Sequence, residues 1–305
     1  MTQRPPFSVF RAALESRGFR PSRRLGQNFL LDENMVRAIV RDAEVLPGSF
    51  VLEVGAGCGF LSLHLLDAGA ELVCVEIDSR LVAIARDLLA PHGAVRFLEC
   101  DALSGKHALA PEIEAALPEE RPWHLVSNLP YSISGPLLAV LAGHERPPRT
   151  MTVLVQKEVA ERIAANPGTP AWGPLSIRLQ LRYAPRIVRS VGPGLFWPRP
   201  SVESAVVRLE WAPAGGTAAE LARLDHWIGE LFSSRRQSLG RVLTRLAGDR
   251  QRAIQVLEAL GIEPERRAET LDLPLLASLA RHLEPWYPPG SPQGRQRGRG
   301  GYLEG

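Results

Sequence analysis

Residues 125–138 read LVSNLPYSISGPLL, and within them an apolar run gives way to Asn128, Leu129, Pro130 and Tyr131. A carboxamide oxygen and an adjoining main-chain carbonyl are two acceptors, which match the two hydrogens of an exocyclic amino group. On a purine that amino group is a poor nucleophile, because its lone pair is delocalised into the ring. Gripped by the Asn128 side-chain oxygen and the Leu129 carbonyl, the nitrogen is held towards tetrahedral geometry with its lone pair aimed at an electrophile. Pro130 fixes the chain so that the acceptors converge. Tyr131 offers a ring on which a base drawn out of its helix can stack. No strong general base is required, since the alkylated cation sheds its proton readily, and positioning with electrostatics supplies most of the acceleration. A plain strand-to-helix turn with Ser132 or Ser134 as N-cap explains the serine and the proline. It does not explain an Asn and a Tyr together.

A second constellation lies upstream. LEVGAGCGF places Gly55, Gly57 and Gly59 directly after an apolar run, where a tight turn into a helix lets backbone approach a ligand. A dinucleotide fingerprint counted from Gly55 requires Gly or Ala at position 60, which is Phe60 here, and this disfavours a nicotinamide enzyme. The spacing Glu53-x-Gly55-x-Gly57-x-Gly59 instead resembles the loop of class I S-adenosylmethionine-dependent methyltransferases. Glu76, 19 residues after Gly57, ends the next apolar run, where a carboxylate accepts bonds from ribose hydroxyls. Asp101 ends the one after, placed to accept an adenine amino group. Together these acids and the loop point to a ligand with an adenosine moiety.

The elements that must carry these residues alternate. SFVLEVGAG (49–57), ELVCVEID (71–78), AVRFLECDAL (94–103) and WHLVSNLP (123–130) read as strands, with helices through 60–70 and 79–90 between them. Residues 151–165 switch from strand to helix near Gln156, and 185–191 and 203–211 complete the strands. This predicts an α/β, Rossmann-like, mostly parallel doubly wound sheet, with ligands at the carboxyl edge. After Trp211 a Gly/Ala/Pro linker precedes amphipathic helices without strand candidates. The expected domains are therefore a basic N-terminal arm (1–24), the sheet domain (25–212), a small all-helical domain (217–285) and a disordered Arg/Gly tail (286–305).

Of the net charge of +3, residues 1–24 hold +5 and residues 288–305 hold +2, so the rest of the chain carries −4. Basic charge at the ends suits arms that reach phosphates, or solvated tails equally well. Cys58, Cys74 and Cys100 are odd in number and lack a CxxC, against a disulfide framework or a zinc site. Without an apolar run long enough to span a bilayer or an N-terminal secretion signal, a cytoplasmic protein is expected.

Across about residues 23–285 the chain resembles the ribosomal RNA adenine N6,N6-dimethyltransferase family. The matching stretches are RRLGQNFLLDENMV (23–36), LEVGAGCGFLS, VEID, NLPYSIS, LVQKEVAERIAANPGTPAWGPLSI, FWPRPSVESAVVRLE and RRQSL. The resemblance implies S-adenosylmethionine as methyl donor, with Asn28, Leu30, Gly55, Glu76, Asp101 and Asn128 around it. It implies catalysis by Asn128, Leu129, Pro130 and Tyr131, with Phe196 as the other wall of the base slot. Its implied substrate is the small ribosomal subunit, whose 16S RNA would be dimethylated at two adjacent adenosines near the 3′ end by a monomer. Arg23, Arg24, Arg235 and Arg236 are the expected phosphate contacts, with the helical domain gripping RNA. Ser132 stands where the family often has Asn, and Ala56 where it often has Pro. The competing readings are a large-subunit RNA adenine methyltransferase of the macrolide-resistance type, a DNA adenine methyltransferase, and a non-catalytic nucleic-acid-binding relative.

Overall fold

The computed structural model describes residues 6–22, 25–30, 32–105, 108–213, 218–234 and 236–286. Arg23, Arg24 and Arg235 and the Arg/Gly tail lie outside the described residues. By its internal contacts the chain divides into two compact units, one of residues 1–164 and 182–212, the other of 165–181 and 213–305.

The first unit is built on a seven-stranded sheet. Its strands are β1 (Phe50–Val54), β2 (Glu71–Glu76), β3 (Val95–Glu99), β4 (Trp123–Asn128), β5 (Thr150–Gln156), β6 (Tyr183–Val191) and β7 (Ser204–Trp211). They lie in the order β3-β2-β1-β4-β5-β7-β6, all parallel except β7. Every residue of β1 is buried, as a central parallel strand covered on both faces requires. The strand order reverses between β1 and β4, which is where open α/β sheets form a crevice at their carboxyl ends.

Around the sheet run α1 (Phe7–Ser16), α2 (Glu33–Asp42), α3 (Phe60–Asp67), α4 (Ser79–Leu89), α5 (Ser134–Ala142) and α6 (Lys157–Ile163). Asp32 caps α2 by accepting the Met35 N–H at 2.7 Å, and Asp78 caps α4 through the Arg80 N–H. In α4 the residues Leu81, Ile84, Ala85 and Leu89 are buried, the stripe their spacing predicts.

The expected basic arm is not an arm over its described part. Phe7, Phe10 and Leu14 form one buried stripe of α1, and the Phe7 and Phe10 rings each meet Phe60 edge-on at 5.2 Å. Phe19 packs on Phe29, with the Arg80 guanidinium 4.9 Å above its ring. Apolar burial at helical spacing overrides the arginines, which stay on the outer face.

The second unit has its own core. Its helices are α7 (Pro174–Gln180), α8 (Ala218–Phe232), α9 (Leu239–Ala247), α10 (Arg250–Ala259) and α11 (Leu273–Leu283). Asp249 and Asp272 cap α10 and α11, and Gly248 closes α9 at φ 67°. Trp172, Ile177 and Leu181 share one cluster with Trp227, Ile228, Leu243, Leu257 and Leu279. Residues 165–181 thus belong with the helices, although the sequence pattern put them in the sheet domain. Their apolar partners lie some fifty residues or more further along the chain, where local periodicity carries no signal. No helix among the described residues is long and apolar enough to cross a membrane.

Candidate active site

The glycine loop joins β1 to α3. Gly55 sits at φ 75°, donates to the Val75 carbonyl at 2.8 Å, and comes so close to Pro130 that a Cβ would stand 2.7 Å from the proline Cδ. A residue with a side chain would therefore push the Asn128–Tyr131 turn away. Gly57, at φ 58°, donates its N–H to Glu76 Oε2 at 2.9 Å, and a Cβ there would crowd the Phe29 ring at 3.0 Å. Both positions combine left-handed backbone with close approach, a combination only glycine accepts without strain.

Two carboxyl groups lie behind the loop. Glu76 accepts from Gly57 and from the Asp78 N–H at 3.0 Å, and burial pushes its pKa up. Glu53, 2 % exposed, accepts the Ser62 hydroxyl at 2.6 Å; burial outweighs that bond and carries its pKa to about 8. The carboxyl group of Glu53 is therefore neutral at pH 7 in the folded protein. Asp78, which pairs with both Arg80 nitrogens and accepts from Gln27, is held below the usual carboxylate range.

The Asn128–Tyr131 turn stands at the end of β4. Asn128 Nδ2 donates to the Asn28 carbonyl at 3.0 Å, which fixes the carboxamide plane and leaves Oδ1 to accept from elsewhere. Leu129 is buried, with its N–H on the Leu154 carbonyl at 3.1 Å. The Pro130 carbonyl accepts the Ile133 N–H at 3.1 Å, closing the turn. The Tyr131 hydroxyl lies 2.7 Å from Ser204 Oγ. Neither serine caps α5: its N-cap is Ile133 without a side-chain bond, and Ser134 Oγ instead reaches the Tyr131 carbonyl at 3.3 Å.

One cleft gathers these parts. It is lined by Asn28, Leu30, Gly55, Glu76, Asp101 and Asn128, and also by Leu129, Pro130 and Tyr131. Asp101 is exposed and its Oδ1 accepts the Leu103 N–H at 3.1 Å. The entry segment is pinned by Gln27, which accepts from the Ser22 N–H and donates to Asp78, and by the antiparallel pairing of Phe29 and Leu30 with Trp197 and Phe196.

Phe196 is placed differently from the expectation. It pairs with Leu30, packs into the core at 3 % exposure, and does not line the cleft. Its neighbour Trp197 takes the outer position and stacks on Phe29 at 5.8 Å. Arg236 is exposed in the second unit, beside Arg267 and the 168–170 loop.

Two lining residues had no sequence signal as part of a site: Phe7 reaches the cleft from α1, and Cys58 from the loop, beside the Glu53 that the spacing had marked. Ser62 and His64, polar residues within the apolar α3, were the available hint that something polar lies under it. Among the described residues no cluster of His, Cys, Asp and Glu is arranged to hold a metal ion. The cleft does fit an adenosine-bearing donor. Gly55 and Gly57 leave backbone bare in its lining, acidic acceptors stand at or just after the ends of β2 and β3, and the acceptor pair stands at the end of β4.

Residues 18–281 match the family model described as ribosomal RNA adenine dimethylase. The chain is 37 % identical over 286 residues to the ribosomal RNA small subunit methyltransferase A of Geobacillus kaustophilus, covering 90 % of this chain and 94 % of that one. It is 39 % identical over 289 residues to the protein of the same name from Novosphingobium aromaticivorans, covering 93 % and 99 %. Among solved structures, a dimethyladenosine transferase from Plasmodium falciparum shares the fold at TM-score 0.69 and 23 % identity, over 84 % of this chain and 97 % of that one. The 23S rRNA methyltransferase ErmE aligns at TM-score 0.62 and 26 % identity, over 84 % and 99 %. The chain belongs to the ribosomal RNA adenine dimethylase family, and is an rRNA adenine dimethyltransferase acting from a class I methyltransferase fold.

Proposed function

We propose that the chain transfers methyl groups from S-adenosylmethionine to N6 of two adjacent adenosines near the 3′ end of 16S RNA, in the maturing small ribosomal subunit and hence in the cytoplasm. The observation that carries the mechanism is the fixed Asn128 carboxamide, with Nδ2 spent on the Asn28 carbonyl and Oδ1 left to accept. When bound, the donor supplies a methyl group made electrophilic by its sulfonium charge. Glu76 would hold its ribose and Asp101 its adenine amino group, with Gly55 beneath it and Asn28 and Leu30 flanking it. Asn128 Oδ1 and the Leu129 carbonyl take the two hydrogens of the target amino group and orient its lone pair. Tyr131 presents its ring to the base. The helical unit and its exposed Arg236 would contact RNA backbone, together with Arg23, Arg24 and Arg235.

The small-subunit target is favoured over the large-subunit one by relatives 36–40 % identical over 86–93 % of the chain, all named for the small subunit. Incubating the protein and labelled donor with immature small subunits, and separately with bare large-subunit RNA, tests this. Label is expected as dimethyladenosine in the small-subunit RNA. Label confined to the large-subunit RNA would reverse the assignment.

A further inference from the structure

We propose that Ser204 is a positioning residue for Tyr131, fixing the place of the ring on which the target base stacks. The inference rests on the base-stacking reading of Tyr131 given above. Topology places the serine there. β7 is the antiparallel strand of the sheet, so its first residue arrives at the edge where the parallel strands end. Ser204 pairs with Gln156, the last residue of β5, and with Val191, the last of β6. The strand start is clamped from outside by Lys157, whose N–H donates to the Glu203 carbonyl at 2.9 Å and whose ammonium meets the Glu203 carboxylate at 2.6 Å.

From this rigid start the Ser204 hydroxyl, 0 % exposed, meets the Tyr131 hydroxyl at 2.7 Å. The backbone end of Tyr131 is held separately. Its carbonyl accepts from Ser134 Oγ at 3.3 Å. Anchoring the main chain and the far hydroxyl together fixes the first side-chain torsion, and with it where the ring lies; the oxygen sits on the axis of the second torsion, which the bond leaves to the in-plane preference of the phenolic O–H. A platform whose place is set before the base arrives spares the complex the cost of ordering it. The same bond engages the phenol away from any role in proton transfer, and burial raises its pKa, so it remains an O–H at neutral pH.

The test measures methyl transfer from labelled S-adenosylmethionine to small subunits isolated from cells that lack the dimethyladenosines, with donor affinity followed by calorimetry. The variants are Ser204→Ala, Tyr131→Phe, the double variant and Tyr131→Ala. Ser204→Ala and Tyr131→Phe are each expected to lower kcat/KM for the subunit by roughly 5- to 30-fold, the worth of one buried hydroxyl pair. Donor affinity should stay within about twofold, and the double variant should be no worse than the poorer single one. Tyr131→Phe reads the bond from the other side should Ser204→Ala lose its fold. Losses that multiply in the double variant would overturn the proposal, because the two hydroxyls would then act separately. Wild-type turnover in both single variants, with Tyr131→Ala impaired, would remove the positioning role while sparing the stacking reading. Wild-type turnover in Tyr131→Ala would remove both.

Discussion

At the scale of single residues the site is a set of geometric coincidences that chemistry can test one at a time. Asn128 is expected to act mainly in the transition state, where its Oδ1 holds the reacting nitrogen. Asn128→Ala should therefore lower kcat by about 10²–10³-fold while donor affinity, read by calorimetry, moves only a few-fold. Gly55 makes a different prediction. At φ 75° and against Pro130, an alanine is strained twice over, so Gly55→Ala should lose about 1–3 kcal/mol in denaturant unfolding and bind donor more weakly. Glu53 predicts a pH dependence. Its carboxyl group titrates near 8 when folded against about 4.5 when unfolded, so between those values the folded chain holds the extra proton. Its contribution to stability is full below about 4.5 and is lost as pH rises through about 8. Glu53→Gln should remove that component, so its melting temperature relative to the parent should improve steadily from pH 5 to pH 8.5. A constant difference across the range would count against a protonated Glu53.

At the scale of elements, strand positions were largely legible because buried parallel strands are near-continuous apolar runs. β1, β2 and β4 appear within a few residues of where Val, Leu and Ile cluster, and the strand-to-helix switch falls at Gln156 as read. The cleft residues on these strand ends were legible for the same reason, since a motif and the element that presents it adjoin in sequence. Phe7 and Ser204 were not: Phe7 reaches the cleft, and Ser204 reaches the Tyr131 hydroxyl, only through contacts between distant segments. For Phe196, expected as a wall of the base slot, the short ladder with Leu30 sets the burial: Phe196 is 3 % exposed in the core cluster, and Trp197 is partly buried against it. α1 was hidden by the arginines of residues 1–24, only one of which, Arg11, lies on it. Because Phe10 is fully buried against Phe60 at the head of α3, Phe10→Ala should cost about 3–5 kcal/mol in chemical denaturation. It should also weaken donor binding, since Phe7 on the same helix lines the cleft.

At the scale of the whole molecule, each of the two units is packed about apolar residues of its own. The cleft is formed within the sheet unit alone, while residues 165–181 leave that unit in sequence to complete the helical core. Trp172→Ala should accordingly destabilise the helical unit while leaving donor affinity unchanged, which thermal scans and calorimetry on the full chain would separate. The central claim joins the scales: a fixed carboxamide at one strand end makes an adenine amino group reactive towards a donor bound by its neighbours. It is tested most directly by nucleoside mass spectrometry of small-subunit RNA after single incubations with the parent protein and with Asn128→Ala, at donor concentrations that saturate both. Dimethyladenosine should form with the parent and be nearly absent with the variant. Equal yields and equal rates from the two proteins would contradict the account.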